Sequence, residues 1–448
     1  MKLFVKVIVS ILFICLVGFF ALISYNYTQR PDYKSSEKTV HIVKYNNKFT
    51  LIRNGQPFEI KGAAGDSNIK MISEIGGNTL RVYDTVNIKN ILNEAHDSNL
   101  AVILDIPLPR YDKDYFNYED ENYQKNLKKS IQDLVNRHKN HPALLMWNLG
   151  NEVDFPFSIL GNGFTNTYND LVNLIHESDP NHPISTTITG RRSNIFSLFF
   201  FSPKLDIYGF NTFGALYELD DRFSTLGPIN GKFPFYLSEW GSNGPWENGT
   251  TSWGVPIEPF SSEKAKQIEQ NYKLVEGYNK TNCVGSLIFY WGNKQESTHT
   301  WFSLFDENDL KSHQIETLLN LWNVSTTNPK RFHINHIKIN NQAIVDSLIL
   351  NRGDTAKAQI NLSYHGDSLK RHDLTYKWEL YPEAWQYQFS DNQVKPKKVA
   401  GYIVEDLKDQ IIFKTPKKEG PYRLFVTIYD TDNYFATANL PFYILEKL

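Results

Sequence analysis

The chain has 448 residues, 41% hydrophobic and 21% charged, which suits two or three packed domains and excludes a largely disordered polymer. Lys+Arg is 47 against Asp+Glu 49, so the basic excess of a nucleic-acid binder is missing and no nucleic-acid partner is expected. Two cysteines exclude a disulfide framework, and twelve histidines without an HExxH pair or zinc spacing give no signal for a metal or other cofactor.

At the N-terminus, Lys2 and Lys6 precede Val7–Ser24, a run without charge and mostly apolar. That length is at the lower limit for a membrane-spanning helix. Ala21-Leu22-Ile23-Ser24 is a poor cleavage site, and Ile14 before Cys15 is a poor lipidation context. The pattern favours an uncleaved anchor over residues 1–25, with secretion after signal cleavage as the alternative. The flanking lysines put the N-terminus inside and the rest of the chain in the extracytoplasmic space. Residues 26–40 are polar and read as a linker. Cys15 in the anchor and Cys283 in a later apolar run are implausible disulfide partners.

From residue 41 to 327 the chain repeats a strand-then-helix unit. The strand-like runs are Phe58–Gly65, Asn78–Tyr83, Ala101–Ile106, Leu144–Glu152, Ile184–Gly190, Asp206–Phe213, Phe233–Gly241 and Gly285–Asn293. Helical patterns lie at Ile69–Ile75, Ile88–Ser98, Tyr123–His138, Thr165–Glu177, Ser262–Tyr278 and Ile315–Trp322. Alternating strands and helices imply right-handed βαβ units, and eight of them predict an α/β fold of the (β/α)8 TIM-barrel kind. A doubly wound sheet competes, but Gly62-Ala63-Ala64-Gly65 lacks the GxGxxG phosphate turn.

Active sites of such barrels form at the C-terminal strand ends. That rule selects Arg81 and Tyr83 on strand two, Asp105 on strand three, Asn151 and Glu152 on strand four, Asn211 and Phe213 on strand six, Glu239 and Trp240 on strand seven, and Trp291 on strand eight. Glu152 and Glu239 are 87 positions apart, which fits strands four and seven. Two carboxyl groups facing each other across a barrel mouth suit glycoside cleavage: one protonates the leaving oxygen while the other attacks the anomeric carbon or activates water. A glutamate ending an apolar strand is desolvated, which raises its pKa and suits an acid, whereas Arg81 would keep the second carboxylate ionised. Each glutamate taken singly reads equally well as ordinary rim charge; the pair, with Asn before one and Trp after the other, does not.

The segments Gly150-Asn151-Glu152-Val153 and Leu237-Ser238-Glu239-Trp240-Gly241 resemble the two signature strands of the retaining β-glycosidase superfamily. The family 2 catalytic barrel and the β-1,3-glucanosyltransferase barrel are the nearest flavours, and the resemblance covers about residues 45–325. It implies Glu152 as acid/base, Asn151 on the sugar 2-hydroxyl, Glu239 as nucleophile, Arg81 as its partner and Trp291 as a stacking floor. One position departs. Where family members often carry a tyrosine that hydrogen-bonds the nucleophile, Phe213 stands, with Tyr208 or Tyr83 as possible substitutes.

Trp246, Trp253 and Trp301 lie in loops on the substrate side, where either sugar stacking or a self-packed lid explains them. Asp105 suits a sugar hydroxyl or a brace for Arg81. Asp154 and Glu247 read as solvated loop charge, and His141-Pro142 as structural.

Residues 328–448 change character. Lys357–Ser363, Leu374–Leu380 and Tyr422–Tyr429 alternate with period two between turn signals such as Asn351-Arg352-Gly353-Asp354, which predicts a β-sandwich with Trp378 in its core. Gly420–Leu445 resembles the Ig-like, PKD-type module that follows the barrel in family-2-like proteins. A docked accessory domain is favoured over a carbohydrate-binding module, since Trp385 and Tyr387 are its only conspicuous surface aromatics. The expected function is retaining hydrolysis of β-glycosidic bonds in an oligo- or polysaccharide outside the membrane. A transglycosidase using the same residues and a non-catalytic glycan-binding scaffold remain the alternatives. The near-zero net charge weakly favours a neutral sugar.

Overall fold

The computed structural model describes residues 2–109, 117–153, 155, 162–230, 232–323, 332–343, 347–364, 373–384 and 393–446. Asp154, Trp385, Tyr387 and the expected domain boundary at 327/328 lie outside the described residues.

Eight parallel strands close into a barrel. They are β1 (Ile60–Gly65), β2 (Thr79–Val82), β3 (Ala101–Ile106), β4 (Leu144–Asn151), β5 (Ile184–Thr189), β6 (Ile207–Asn211), β7 (Phe235–Trp240) and β8 (Cys283–Trp291). Each expected strand-like run overlaps one of them, strand six included, and only β8 begins before its expected run, by two residues. Strands covered on both faces read as near-continuous apolar runs, and β3 is buried at every position. Successive side chains still point to opposite sides. Val102, Leu104 and Ile106 join the core shared with the helices, while Ala101 and Ile103 join the barrel interior. The same alternation turns Asp105 inward.

The six expected helices form within two residues of their predicted ends. Two more, Arg192–Phe201 and Leu219–Asn230, escaped the sequence reading. The first carries a Phe199-Phe200-Phe201 run without helical spacing, and the second contains Gly227-Pro228, which reads as a break.

A hairpin of Val40–Tyr45 and Lys48–Arg53, with the short strand Gln56–Pro57, precedes the barrel. Its Val40, Ile42, Phe49 and Leu51 pack with Ile60, Ala101, Ile103, Leu145 and Ile207 at the starts of barrel strands. The hairpin therefore stoppers the N-terminal end, each buried side chain contributing about 1.5–3 kcal/mol.

The helix Lys2–Thr28 contains one stretch, Lys6–Thr28, long and apolar enough to cross a membrane, a test that an N-terminal signal sequence also passes. The last turn of this helix and the residues after it, expected as a linker, are fixed to the barrel. Asn26 Nδ2 donates to the Phe200 carbonyl at 2.9 Å, Tyr33 Oη donates to the Asp206 carbonyl at 3.1 Å, and the Tyr33 ring meets Phe49 edge-on.

The C-terminal part is a β-sandwich. One antiparallel sheet holds Phe332–Ile339, Thr355–Tyr364, Gln410–Lys414 and Ile403–Asp406. The other holds Thr375–Pro382, Gly420–Tyr429 and Tyr434–Leu445, with Ile349–Asn351 and the two-residue strand Lys311–Ser312 beside the last. Trp378 is buried in the shared core, and its Nε1 donates to the Lys408 carbonyl. Lys311–Ser312 comes from the segment after β8, so the barrel's own chain completes a sandwich sheet.

Candidate active site

The C-terminal strand ends converge on one polar cluster. Arg81, fully buried on β2, donates from Nε and Nη2 to both oxygens of Asp105 at 3.0 and 2.7 Å. Its Nη1 donates to Glu239 Oε1 at 3.1 Å, and Nη2 also reaches Asn151 Oδ1 at 2.7 Å. Asn211 Nδ2 donates to Glu152 Oε1 at 2.8 Å and to Asn151 Oδ1 at 3.3 Å, while Ser238 Oγ donates to Asn211 Oδ1. An unbroken chain of bonds thus runs from Glu152 through Asn211, Asn151 and Arg81 to Glu239. Because Asn151 Oδ1 accepts twice, its amide Nδ2 remains as a donor for a ligand.

Two local irregularities aim the glutamates. The pairing of β7 with β6 slips between Leu237 and Glu239, a bulge that turns Glu239 inward beside Ser238. Glu152 sits at φ +52°, a left-handed conformation uncommon for a side-chain-bearing residue and typical of functional sites. Its amide is held by the Thr187 carbonyl at 2.8 Å.

The question left by Phe213 is answered in space. Tyr83, on the adjacent end of β2, donates its hydroxyl to Glu239 Oε1 at 2.9 Å. Burial and the Glu239 charge push the Tyr83 pKa well above that of a free phenol, so it stays a neutral donor. Tyr208 instead points outward, packed on Phe199 and Phe233. Phe213 packs on Phe289, Phe302 and Trp246.

Electrostatics reverse one expectation. The carboxyl raised by desolvation is Glu239, which burial pushes up to about 7, with Glu152 adding to the rise and Arg81, Lys294 and Tyr83 opposing it. Arg81 restrains it incompletely because Asp105 holds the guanidinium through two bonds. Asp105 is therefore the brace of Arg81.

The tryptophans divide sharply. Trp240 and Trp291 have no exposed surface; Trp240 packs on Tyr272 of the helix after β7, and Trp291 packs edge-on to Phe305. Both lie on the outward side of their strands, so neither ring offers a face to a sugar, and the expected stacking floor at Trp291 is withdrawn. Trp301 is buried with Nε1 on the Asn243 carbonyl, and Trp253 meets Tyr443 of the sandwich. Only Trp246 stays open among these five, 63% exposed. Glu247 is not a solvated loop charge, because it accepts from the amides of Gly214, Ala215 and Gly244 at 2.7–2.9 Å and ties the β6 and β7 loops together.

Sequence reasoning missed several residues around the mouth. Asp66 directly follows β1 and Asp84 lies two residues past β2, so the strand-end rule already pointed to them; burial, and then the Asp84 charge, raise the pKa of Asp66. Lys294, ion-paired with Glu296 at 2.7 Å, lies over the Phe289 and Tyr290 rings. No sequence signal marks Lys294, since its place depends on the loop after β8.

Residues 78–232 match the model of the family "Glycosyl hydrolases family 2, TIM barrel domain". The matched range includes the Glu152 strand and ends before Glu239, and it bears out the resemblance to the family 2 barrel and the expectation of a glycoside hydrolase. No curated protein matches the chain. Among solved structures, the chain is similar to Bacteroides uniformis beta-glucuronidase 2, covalently bound to cyclophellitol-6-carboxylate aziridine. The TM-score is 0.50 with 14% identity over 91% of this chain and 48% of that one. It is likewise similar to the GH2 beta-galacturonidase from Eisenbergiella tayi bound to galacturonate, with TM-score 0.50 and 15% identity over 64% of this chain and 54% of that one. The chain spans about half the length of these solved relatives. At such identity they speak for the fold alone.

Proposed function

We propose that the protein is a retaining β-glycosidase, held at a membrane by its N-terminal helix, that cleaves a glycan outside the cytoplasm. Glu239 is the nucleophile and Glu152 the acid/base. The observation carrying this reading is that the Arg81 and Tyr83 side chains both donate to the same oxygen of Glu239, Oε1. The lone pairs of Oε2 are left for attack on the anomeric carbon. In the first step the Glu239–carbon bond forms and the bond to the leaving oxygen breaks, with Glu152 delivering its proton to that oxygen. In the second step water attacks the same carbon, Glu152 takes a proton from it, and the ester to Glu239 breaks. Asn151 Nδ2 is oriented to donate to a sugar hydroxyl, and Trp246 offers the exposed ring at the mouth.

The two solved neighbours are named for uronides, but the rim here carries Asp66 and Asp84, and Lys294 is already paired with Glu296. A neutral β-linked sugar suits that balance better. Transfer to a second sugar uses the same ester and differs only in the acceptor, so product analysis with added acceptors separates it from hydrolysis. The sandwich, read as Ig/PKD-like, serves as a docked accessory domain.

The test is to incubate the protein with activated 2-fluoro β-glycosides, neutral and uronic, and to map the modified peptide by mass spectrometry. An adduct on Glu239 with the neutral reagent is expected, and Glu152→Gln should slow turnover by about 10²–10⁴-fold. A protein that turns over substrate at parental rate as Glu239→Gln refutes the assignment. Absence of both adduct and turnover across the panel supports the scaffold alternative.

A further inference from the structure

The segment between the apolar helix and the barrel is pinned at one end of the barrel, and that end can be identified. Helices of a (β/α)8 barrel run antiparallel to its strands, so their last turns lie at the N-terminal end of the barrel, opposite the catalytic mouth. Asn26 is bonded to Phe200 in the last turn of the helix Arg192–Phe201. Tyr33 is bonded to Asp206, immediately before β6 begins, and Arg30 lies over the Phe199 ring at 5.8 Å. Further on, the Val40 amide donates to the Asn181 carbonyl just before β5, and Arg53 donates to the Pro142 carbonyl just before β4. Every one of these contacts falls at the N-terminal end. From Phe4 to Phe20 the helix exposes Phe4, Ile11, Leu12, Phe13, Ile14 and other large apolar side chains. The part of the helix before the docked Asn26, Lys6–Tyr25, rises about 30 Å, enough for a bilayer core of about 30 Å.

From this geometry we propose that the protein stands on the membrane with a set orientation, its stoppered end toward the bilayer and its catalytic mouth away from it. The glutamate strands β4 and β7, eight and six residues long and tilted by about 36° to the barrel axis, rise about 16–21 Å along it, so the two glutamates are held on the order of 20 Å above the lipid surface. The substrate class that follows is a glycan approached from the solvent side, rather than the sugar headgroup of a lipid in the same bilayer. The orientation rests on the anchored reading of the helix.

The full chain, with Cys15→Ser, is labelled through Ser35→Cys on the pinned segment or through Val86→Cys on the loop after β2. Both positions are exposed, Val86 by 74%. Each protein is reconstituted into phosphatidylcholine–phosphatidylglycerol vesicles whose headgroups carry a rhodamine acceptor. Energy transfer several-fold stronger from Ser35 than from Val86 is expected. Equal transfer from both, or stronger transfer from Val86, overturns the orientation. Release of the protein by alkaline carbonate, or a mature N-terminus beyond the helix, overturns the anchor itself. Trapping at Glu239 reads the glycosidase chemistry separately in either case.

Discussion

Two buried glutamates in this molecule meet opposite fates. Glu258, where the barrel meets the sandwich, accepts from Lys264 and Thr300 on one oxygen and from Thr298 and Asn439 on the other. Burial pushes its pKa up, but the Lys264 charge and the bonds from Lys264 and Thr298 outweigh that and hold it below the ordinary value. Glu239, at the mouth, accepts from Arg81 and Tyr83 on a single oxygen, and burial raises its pKa to about 7. Burial is common to both. What separates their pKa values is first whether the nearest cation is shared with another carboxylate, as Arg81 is with Asp105, and then the number of donors. The interface is completed by Arg423, which binds Glu383, Asn439 and the Pro256 carbonyl, so the barrel–sandwich junction is polar yet satisfied.

The comparison can be broken first at its stable member. Glu258→Gln leaves the Lys264 ammonium buried without its counter-charge and should destabilise the fold by about 3–5 kcal/mol in urea melts, while turnover per folded molecule is preserved. The opposite sign is expected at the mouth. The pKa of Glu239 in the fold, about 7, exceeds that of an exposed glutamate, so its contribution is present below about pH 4.3 and is lost as pH rises through 7. Glu239→Gln should therefore melt higher than the parent at pH 8, by up to about 3 kcal/mol, and equally at pH 4. A destabilised Glu239→Gln at pH 8 would erase the contrast between the two sites.

Smaller changes sharpen it. Tyr83→Phe removes a hydrogen bond to a charged acceptor, about 1.5–3 kcal/mol, so kcat/KM should drop roughly 10- to 150-fold. Its acidic limb should also move to higher pH, because the lost bond favoured the carboxylate. Asp105→Asn frees Arg81 for Glu239 and should move the same limb to lower pH. Profiles of kcat/KM against pH that leave this limb in place would show that Arg81 does not govern the ionisation of Glu239. Trp246→Ala should raise KM several-fold, roughly 1–1.5 kcal/mol, with kcat nearly unchanged, as loss of one exposed stacking ring implies.

Much of this was legible in the residues. Eight apolar runs alternating with helical patterns dictated the barrel, because both faces of a parallel strand must be covered. The strand-end rule then drew Arg81, Tyr83, Asp105, Asn151, Glu152, Asn211 and Glu239 into one list. The same rule overreached at Trp240 and Trp291, because a position in the chain says where a strand ends and not which way a side chain faces. The bulge in β7 decides that for Glu239 and Trp240 together.

By itself, then, the sequence determined the barrel, the sandwich, the apolar helix and the pair of glutamates, since those follow from periodicity and from residue types set by burial. Tertiary structure alone decided that Tyr83, and not Tyr208, reaches Glu239 and that Trp246 keeps an open face. It also decided that the segment after the helix is pinned to the barrel and that burial raises the pKa of Glu239. Each of these depends on distances between residues far apart in the chain, which no local pattern encodes.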